Sequence, residues 1–316
     1  MKFIYISILI SFLWSQNLIG GVTGAALDLS ANAYEKSLSY SGVALGDDIG
    51  GISYNPAVAA NIDSISGTFT HLNYIEDIEM FYGNFFYPKS KFSFTGRFGY
   101  MYMPSVTDYQ TGKELKYREF FIGGGSGYKY NRNISIGANI NLYTATFAES
   151  SGITFFLNTG INYETYLPLL NTHKIVIGAS ILNLGPGIKF KQQRSSLPLS
   201  FNLGAKYVYE YDYRLFCGLR KLADNDNLSW SIAGELVMFK FFSARLSAYT
   251  DPNNNLKFNM GAGFKITYKE YDFIIDYTSL PLEEIEYSNI ITFTFRFPAK
   301  KGKQMKQEKW ENIWKR

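Results

Sequence analysis

The sequence has few residues suited to a metal site or a disulfide. It contains one cysteine, Cys217, and two histidines in 316 residues. A single cysteine excludes an intramolecular disulfide, and so few Cys and His argue against a zinc site. Charged residues are 18% of the chain, and the net charge is only +4, which is too small to indicate nucleic-acid binding. The sequence therefore predicts no metal, no cofactor and no nucleic-acid partner.

The chain also lacks a long apolar run. Its most apolar segment follows Lys2 and covers Phe3 to Trp14, which is shorter than the ~20 residues of a membrane-spanning helix. Its length suits the apolar part of a secretory signal. We predict a signal peptide over residues 1–15, with a buried strand or an uncleaved anchor as alternatives. No later run reaches the length of a spanning helix, which excludes a helical membrane protein.

Aromatic residues are abundant, at 17% of the chain, and they occur in alternating patterns. Strict alternation of apolar and polar residues indicates β-strands rather than helices. Five runs alternate strictly: 92–103, 134–142, 199–209, 256–268 and 291–297. Nine weaker runs lie at 64–72, 77–87, 118–130, 152–163, 173–183, 213–219, 228–237, 241–249 and 271–277. The total is 14 predicted strands.

Two all-β architectures fit this pattern. Strands of a soluble sandwich average ~5–6 residues, whereas many of these runs approach the ~9–11 residues of a membrane-spanning strand. Aromatic residues at the strand ends, such as Tyr100, Tyr209 and Tyr268, suit the two interfaces of a bilayer. The opposite face is rich in Gly, Ser, Asn and Thr, which suits a barrel lumen. The sequence therefore predicts a transmembrane antiparallel β-barrel over residues 64–297, in the outer membrane and in contact with its lipid.

The connections between the strands give a second indication. The even-numbered connections are short, apart from 164–172, and the odd-numbered ones are longer. This parity predicts an even number of strands with both termini on the periplasmic side. Residues 16–63 would then form an N-terminal arm or plug. Residues 298–316 would form a basic periplasmic tail.

Alternation also predicts which charged side chains face the lumen. These are Arg97, Lys206, Arg214, Glu235, Arg245, Lys257, Lys265, Asp272, Asp276 and Arg296. They would either select anions or polar solutes, or form ion pairs that fill the lumen. We favour the ion pairs, because charges on the lipid face would cost ~2–4 kcal/mol at the midplane. The inner face is predicted to be polar overall, although Phe121, Phe156 and Phe216 also point inward.

Four segments carry a family resemblance, among them 197–207 and a closing hairpin over 261–297 with Asp276 and Tyr277. The stretch 38–60, LSYSGVALGDDIGGISYNPAVAA, resembles an N-terminal signature of the PorV/PorQ family of outer-membrane proteins, and 179–190, ASILNLGPGIKF, resembles a second element of that family. The matching residues of the first are Gly42, Val43, Ala44, Asp47, Asp48, Asn55, Pro56 and Ala57. Those of the second are Asn183, Leu184, Gly185 and Pro186. We interpret the first as a turn that closes the plug and the second as an extracellular turn after the seventh strand, with contact to cargo or a partner as the alternative.

The resemblance implies a FadL-like barrel of 14 strands with a small plug and no enzymatic activity. It also implies a role in type IX secretion. The protein would bind secreted cargo with a C-terminal sorting domain, or the translocon barrel, through extracellular loops such as 184–198. An alternative is a FadL-like transporter of hydrophobic small molecules, which would need an apolar pocket and a lateral opening at a strand kink. The predicted polar lumen argues against it. A third possibility is a structural barrel without a passage.

Overall fold

The protein forms a closed antiparallel β-barrel of 14 strands, as predicted. The structure, a computed structural model, describes residues 24–29, 32–46, 48–74, 77–107, 114–167, 170–191, 193–210, 212–283 and 286–298. The predicted signal peptide and residues 299–316 of the predicted tail lie outside the described residues. No helix in the described part of the chain is long and apolar enough to cross a membrane.

Each of the 14 predicted runs corresponds to one barrel strand. The strands are β1 (Ser64–Asn73), β2 (Glu79–Lys89), β3 (Phe92–Thr107), β4 (Glu114–Lys129), β5 (Ile134–Phe147), β6 (Ser150–Leu167), β7 (Leu170–Leu184), β10 (Ser200–Tyr209), β11 (Tyr213–Leu222), β12 (Leu228–Met238), β13 (Phe242–Thr250), β14 (Leu256–Tyr268), β15 (Tyr271–Glu283) and β16 (Glu286–Pro298). Two short strands, β8 (Ile188–Phe190) and β9 (Gln193–Ser195), form a separate hairpin. Pairing of β1 with β16 closes the barrel.

The alternation of the sequence becomes an apolar outside and a polar inside. In β5, Ile140 and Leu142 are 59% and 47% exposed, while the intervening Asn139 and Asn141 are buried. Similar apolar side chains cover the outer wall on the other strands. A soluble protein buries such side chains, so this inverted arrangement fits a bilayer around the barrel.

The two ends of the barrel differ in their connections. We call the end where β1 begins and β16 ends the terminal end, and the opposite end the loop end. The strands extend further than predicted, so the terminal-end connection between β6 and β7 is confined to the residues between Leu167 and Leu170. The expectation of a long 164–172 connection was therefore wrong. At the loop end, the β7–β10 connection contains the β8–β9 hairpin, which was not predicted.

The described residues before β1 lie inside the barrel. They form two short helices, Ala25–Asp28 and Ala33–Ser37, and three 3₁₀ helices, Ser39–Ala44, Ile49–Ile52 and Pro56–Asn61. Most of their side chains are buried. Near the loop end, Ala26 of this segment contacts Glu119 and Tyr82 of the wall. Near the terminal end, its Asp48 contacts Arg296 of the wall. We refer to residues 24–62 as the plug.

Candidate functional site in the plugged lumen

The Asn55-Pro56-Ala57 element fastens the plug to the wall. Asn55 is fully buried, and its amide nitrogen donates to the carbonyl of Val43 (3.0 Å) and to Oδ1 of Asn162 in β6 (2.7 Å). Its Oδ1 accepts from the backbone nitrogen of Ala57 at 3.0 Å. Asn55 is thus the N-cap of the last 3₁₀ helix, and Pro56 occupies its first position, where no N–H is needed.

Inward-facing glycines let the plug lie directly on the wall. Gly137 in β5 pairs with Gly127 in β4 and Gly160 in β6, forming a row across three strands. A Cβ at Gly137 would overlap the carbonyl of Pro56, and one at Gly160 would overlap Oδ1 of Asn55. These glycines are needed for close approach of the plug backbone.

A second row receives the earlier part of the plug. Gly204 in β10 pairs with Gly178 in β7 and Gly218 in β11. A Cβ at Gly178 would overlap the carbonyl of Val43, and one at Gly218 would lie 2.6 Å from the backbone nitrogen of Ser41. The two rows therefore hold two segments of the plug, around 41–43 and 55–60.

Charged residues from the wall and the plug form a network near the terminal end. Glu235 accepts from Arg214 at 2.9 Å and lies 3.4 Å from Arg245, which also pairs with Asp276. The Tyr34 hydroxyl of the plug donates to Glu235 at 2.8 Å. Burial, reinforced by Glu235, raises the pKa of Tyr34 well above its usual value, so its phenol remains a neutral donor.

The same network extends to the first family element. Arg296 donates to Asp48 at 3.0 Å, and Asp48 also caps the backbone nitrogen of Gly50. A cavity of about 230 Å³ lies beside these side chains. Asp47, the other carboxylate of that element, lies outside the described residues.

The remaining predicted lumen charges make contacts of their own. Lys206 donates to the carbonyl of Leu45 in the plug. Lys257 lies 3.7 Å from Asp251 at the loop end, and Lys265 pairs with Asp272 at 2.9 Å at the terminal end. Arg97 is elsewhere, with its guanidinium 5.1 Å from the ring centre of Phe121. Among the described residues, no group of three His, Cys, Asp or Glu side chains is placed to hold a metal ion.

The loop end of the lumen is lined by apolar side chains. These side chains and the plug and loop residues packed on them form one cluster, which we call the loop-end cluster. Its buried members from the wall are Leu72, Met80, Tyr82, Met101, Phe121, Tyr143, Ala145, Phe156, Leu280 and Ile290. Ala26 and Ala33 of the plug and Ile188 and Leu197 of the β7–β10 connection complete it. The prediction of a polar inner face is therefore wrong at this end. Phe121 and Phe156 do face inward here, while Phe216 packs in a separate cluster with Tyr34.

The first plug segment is tied to this cluster by polar contacts. The backbone nitrogen of Ala26 donates to Glu119 at 2.9 Å, and its carbonyl accepts from the hydroxyl of Tyr82 at 2.8 Å. Asp28 pairs with Arg220. These contacts place Leu27 and Leu29 against the loop-end cluster.

The second family element lies at an irregularity of the barrel wall. Asn183 has a positive φ of 61°, its backbone nitrogen donates to Oδ1 of Asn158 at 2.6 Å, and its side chain donates to the carbonyl of Pro198 at 3.0 Å. The β6–β7 register shifts between Leu157 and Thr159. β7 then ends at Leu184, followed by Gly185 and Pro186.

A seam in the wall results from this irregularity. Residues 150–156 of β6 pair with β5, but β7 pairs with β6 only from Leu157 onward. The β8–β9 hairpin packs against this part of β6, because a Cβ at Gly152 would lie 2.6 Å from the Ile188 side chain. Ile188 itself is fully buried in the loop-end cluster. The hairpin therefore covers a seam that borders the cluster.

Comparison with known proteins supports the fold. By sequence, the chain matches no protein-family model and no curated protein. Its structure is similar to the CymD monoaromatic hydrocarbon channel, with a TM-score of 0.58 and 8% identity over 84% of this chain and 96% of that one. It is also similar to the toluene transporter TbuX of Ralstonia pickettii, with a TM-score of 0.54 and 9% identity over 79% and 94% of the two chains. A FadL homologue of Pseudomonas aeruginosa gives a TM-score of 0.51 and 11% identity over 89% and 99%. The barrel is therefore FadL-like.

Proposed function

We propose that the protein is a non-enzymatic outer-membrane barrel that binds a hydrophobic small molecule at its loop end and lets it pass the wall or the plug. The observation that carries this proposal is the loop-end cluster, since the pockets that bind small molecules are lined mostly by apolar and aromatic side chains. Two solved structures that it resembles are named a monoaromatic hydrocarbon channel and a toluene transporter. These names support a hydrophobic small molecule as the ligand.

The seam beside β6 supplies a route for such a ligand. Seven residues, 150–156, are paired on one side only, and the hairpin that covers them is held through Ile188. Movement of the hairpin would connect the loop-end cluster with the surrounding lipid without breaking any pair of the closed barrel.

Ligand binding is tested with an uncharged aromatic fluorophore, 1-aminoanthracene, and the full chain in a non-ionic detergent. We expect the probe to bind and butylbenzene to displace it. Phe121→Asn, which places a polar group in the cluster, should weaken probe binding about tenfold or more.

Phe120→Asn is the matched control. Phe120 is the preceding residue in β4, but its side chain is 38% exposed on the outer wall, so its variant should bind like the wild type. Absence of probe binding to the wild type, or equal losses in both variants with both barrels folded, would reject the proposal.

The secretion role implied by the sequence resemblance is a second proposal. The hairpin that follows the Asn183–Pro186 element exposes Lys189, Lys191 and Arg194, and these cations favour contact with an acidic partner. A pull-down from native outer membranes tests this role. Recovery of a translocon barrel or of proteins with a C-terminal sorting domain, lost when the three cations are changed to Gln, would support it, and recovery of general envelope proteins alone would count against it.

A further inference from the structure

We propose that the terminal end of the barrel binds the head groups of anionic phospholipids through three lysines, Lys89, Lys91 and Lys129. These lysines belong to two neighbouring turns on the rim of the barrel. The inference concerns the rim of the wall and is independent of what the lumen holds.

The two turns are joined through the backbone. β2 ends at Lys89 and β3 begins at Phe92, which pairs with Tyr128 of β4. The backbone nitrogen of Lys129 donates to the carbonyl of Lys91 at 2.9 Å. Lys89 and Lys91 are exposed, and Lys129 is half-buried. The three lysines therefore come from one ordered edge of the barrel, which we call the lysine edge.

The lysine edge carries an excess of positive charge. Within the described part of the chain, none of its three lysines forms an ion pair. Asp63, which precedes β1 at the same end, is exposed. Its single carboxylate leaves the edge with a net positive charge. An anionic partner is therefore favoured there.

Aromatic side chains of the outer wall place these lysines at the depth of lipid head groups. Tyr87 and Phe92 are 48% and 47% exposed, and Tyr130 is 63% exposed. The ring of Phe92 also lies 4.7 Å from that of Tyr128. Such residues gather where a bilayer meets water. Lysines at the same depth extend their charge to the phosphates while their stems contact apolar groups, so the partner that fits both features is an anionic phospholipid.

Other turns at the terminal end lack this excess of cations. The turn between β10 and β11 contains two carboxylates, Glu210 and Asp212. The turn between β14 and β15 contains one charge of each sign, Lys269 and Glu270. Lys240 is the single charged residue between β12 and β13. The lysine edge is thus a local feature of β2, β3 and β4.

Lipid selectivity is tested by native mass spectrometry of the full chain in non-ionic detergent. Dioleoylphosphatidylglycerol and dioleoylphosphatidylcholine share their acyl chains and differ in net charge. We expect the first to bind at about one tenth of the concentration of the second or less, because each lysine at an anionic lipid surface strengthens association about fivefold. The variant Lys89→Gln/Lys91→Gln/Lys129→Gln should lose at least two thirds of this preference.

The matched control removes three cations from the opposite end. Its substitutions are Lys189→Gln, Lys191→Gln and Arg194→Gln, and it should keep the wild-type preference. Equal binding of the two lipids by the wild type, full preference in the lysine-edge variant, or equal losses in both variants would overturn the proposal.

A soluble phosphate is the remaining competitor for the same lysines. Glycerol 3-phosphate in tenfold excess over lipid should leave the preference unchanged, since it lacks the acyl chains that contact the aromatic side chains. Loss of the preference in its presence would overturn the lipid as the partner. If the triple variant does not fold, Lys89→Gln/Lys91→Gln, which changes exposed residues only, decides in the same way.

Discussion

Asn55 of the plug and Asn162 of β6 are joined by a 2.7 Å hydrogen bond between their side chains. The bond links positions that are far apart in sequence, and both residues are buried. It lies beside Gly160, whose missing Cβ makes room for the same Asn55 side chain. The wall therefore provides both a hydrogen-bond partner and the space that the Asn55 side chain needs.

Replacing Asn55 should release the plug from the wall. Asn55→Ala removes the donor to Val43, Ile161 and Asn162 and the cap of Ala57. Each buried partner left without a bond costs about 1–3 kcal/mol. We expect amide hydrogen exchange in residues 41–62 to accelerate at least tenfold. Asn253→Ala, in an exposed loop, should leave that exchange unchanged, and equal rates in both variants would contradict the role of Asn55.

A methyl group added at Gly137, in the glycine row of β4, β5 and β6, should also loosen the plug, because it would overlap the plug backbone. A Cβ at Gly137 meets the backbone of Pro56, whereas one at Gly96 in β3 has nothing within 4 Å. Gly137→Ala should therefore lower the thermal transition and make the plug more sensitive to protease. Gly96→Ala should do neither. A stable, protease-resistant Gly137→Ala protein would show that the plug does not rest on this row.

The two kinds of ion pair in the lumen should differ in strength. The Arg245 side chain is 2% exposed and pairs with Asp276, whereas that of Lys265, paired with Asp272, is 39% exposed. Removing one member of a buried pair costs ~3–5 kcal/mol, against ~0–1 kcal/mol for an exposed pair. Arg245→Gln should thus lower the free energy of unfolding in urea far more than Lys265→Gln.

A second substitution checks the cause of that loss. Adding Asp276→Asn to Arg245→Gln removes the carboxylate that the first change leaves uncompensated. We expect part of the stability to return. A purely additive loss in the double variant would mean that the two side chains do not interact.

Loosening the hairpin should open the seam. Ile188 is fully buried and Lys189 is exposed. Ile188→Ala removes apolar contact with the loop-end cluster, at about 2–5 kcal/mol for a well-buried side chain. Exchange of amides in 188–195 should accelerate, and 1-aminoanthracene should associate faster. Lys189→Ala is the control, and faster exchange without faster association would place the entry route elsewhere.

The number and order of the barrel strands could be predicted because alternation is a local property. Each strand carries its own apolar outer face, so a single run such as 92–103 is sufficient. The strand ends were less predictable. Beyond the apolar band the alternation weakens, and β5 and β15 continue to Phe147 and Glu283, well past the predicted runs.

The loop-end cluster could not be predicted because it is shared among many strands. Leu72, Met101 and Phe156 are each one of a few apolar inward residues on a strand that is otherwise polar inside. Only the register of the sheet brings them to the same height. Alternation indicates that Arg97, Arg214 and Arg245 face the lumen. Their contacts could not be predicted, because they depend on the register of the sheet and on the path of the plug.

The position of the plug has a consequence for assembly. The barrel closes where β1 meets β16, with Ser64 opposite Pro298, and the plug directly precedes Ser64. Its contacts reach strands from β1 to β16, and at the two glycine rows an added Cβ would overlap plug atoms. We therefore expect the plug to be seated before β1 and β16 pair. Their pairing would then close the wall around a segment already in place, which couples closure of the barrel to correct seating of the plug.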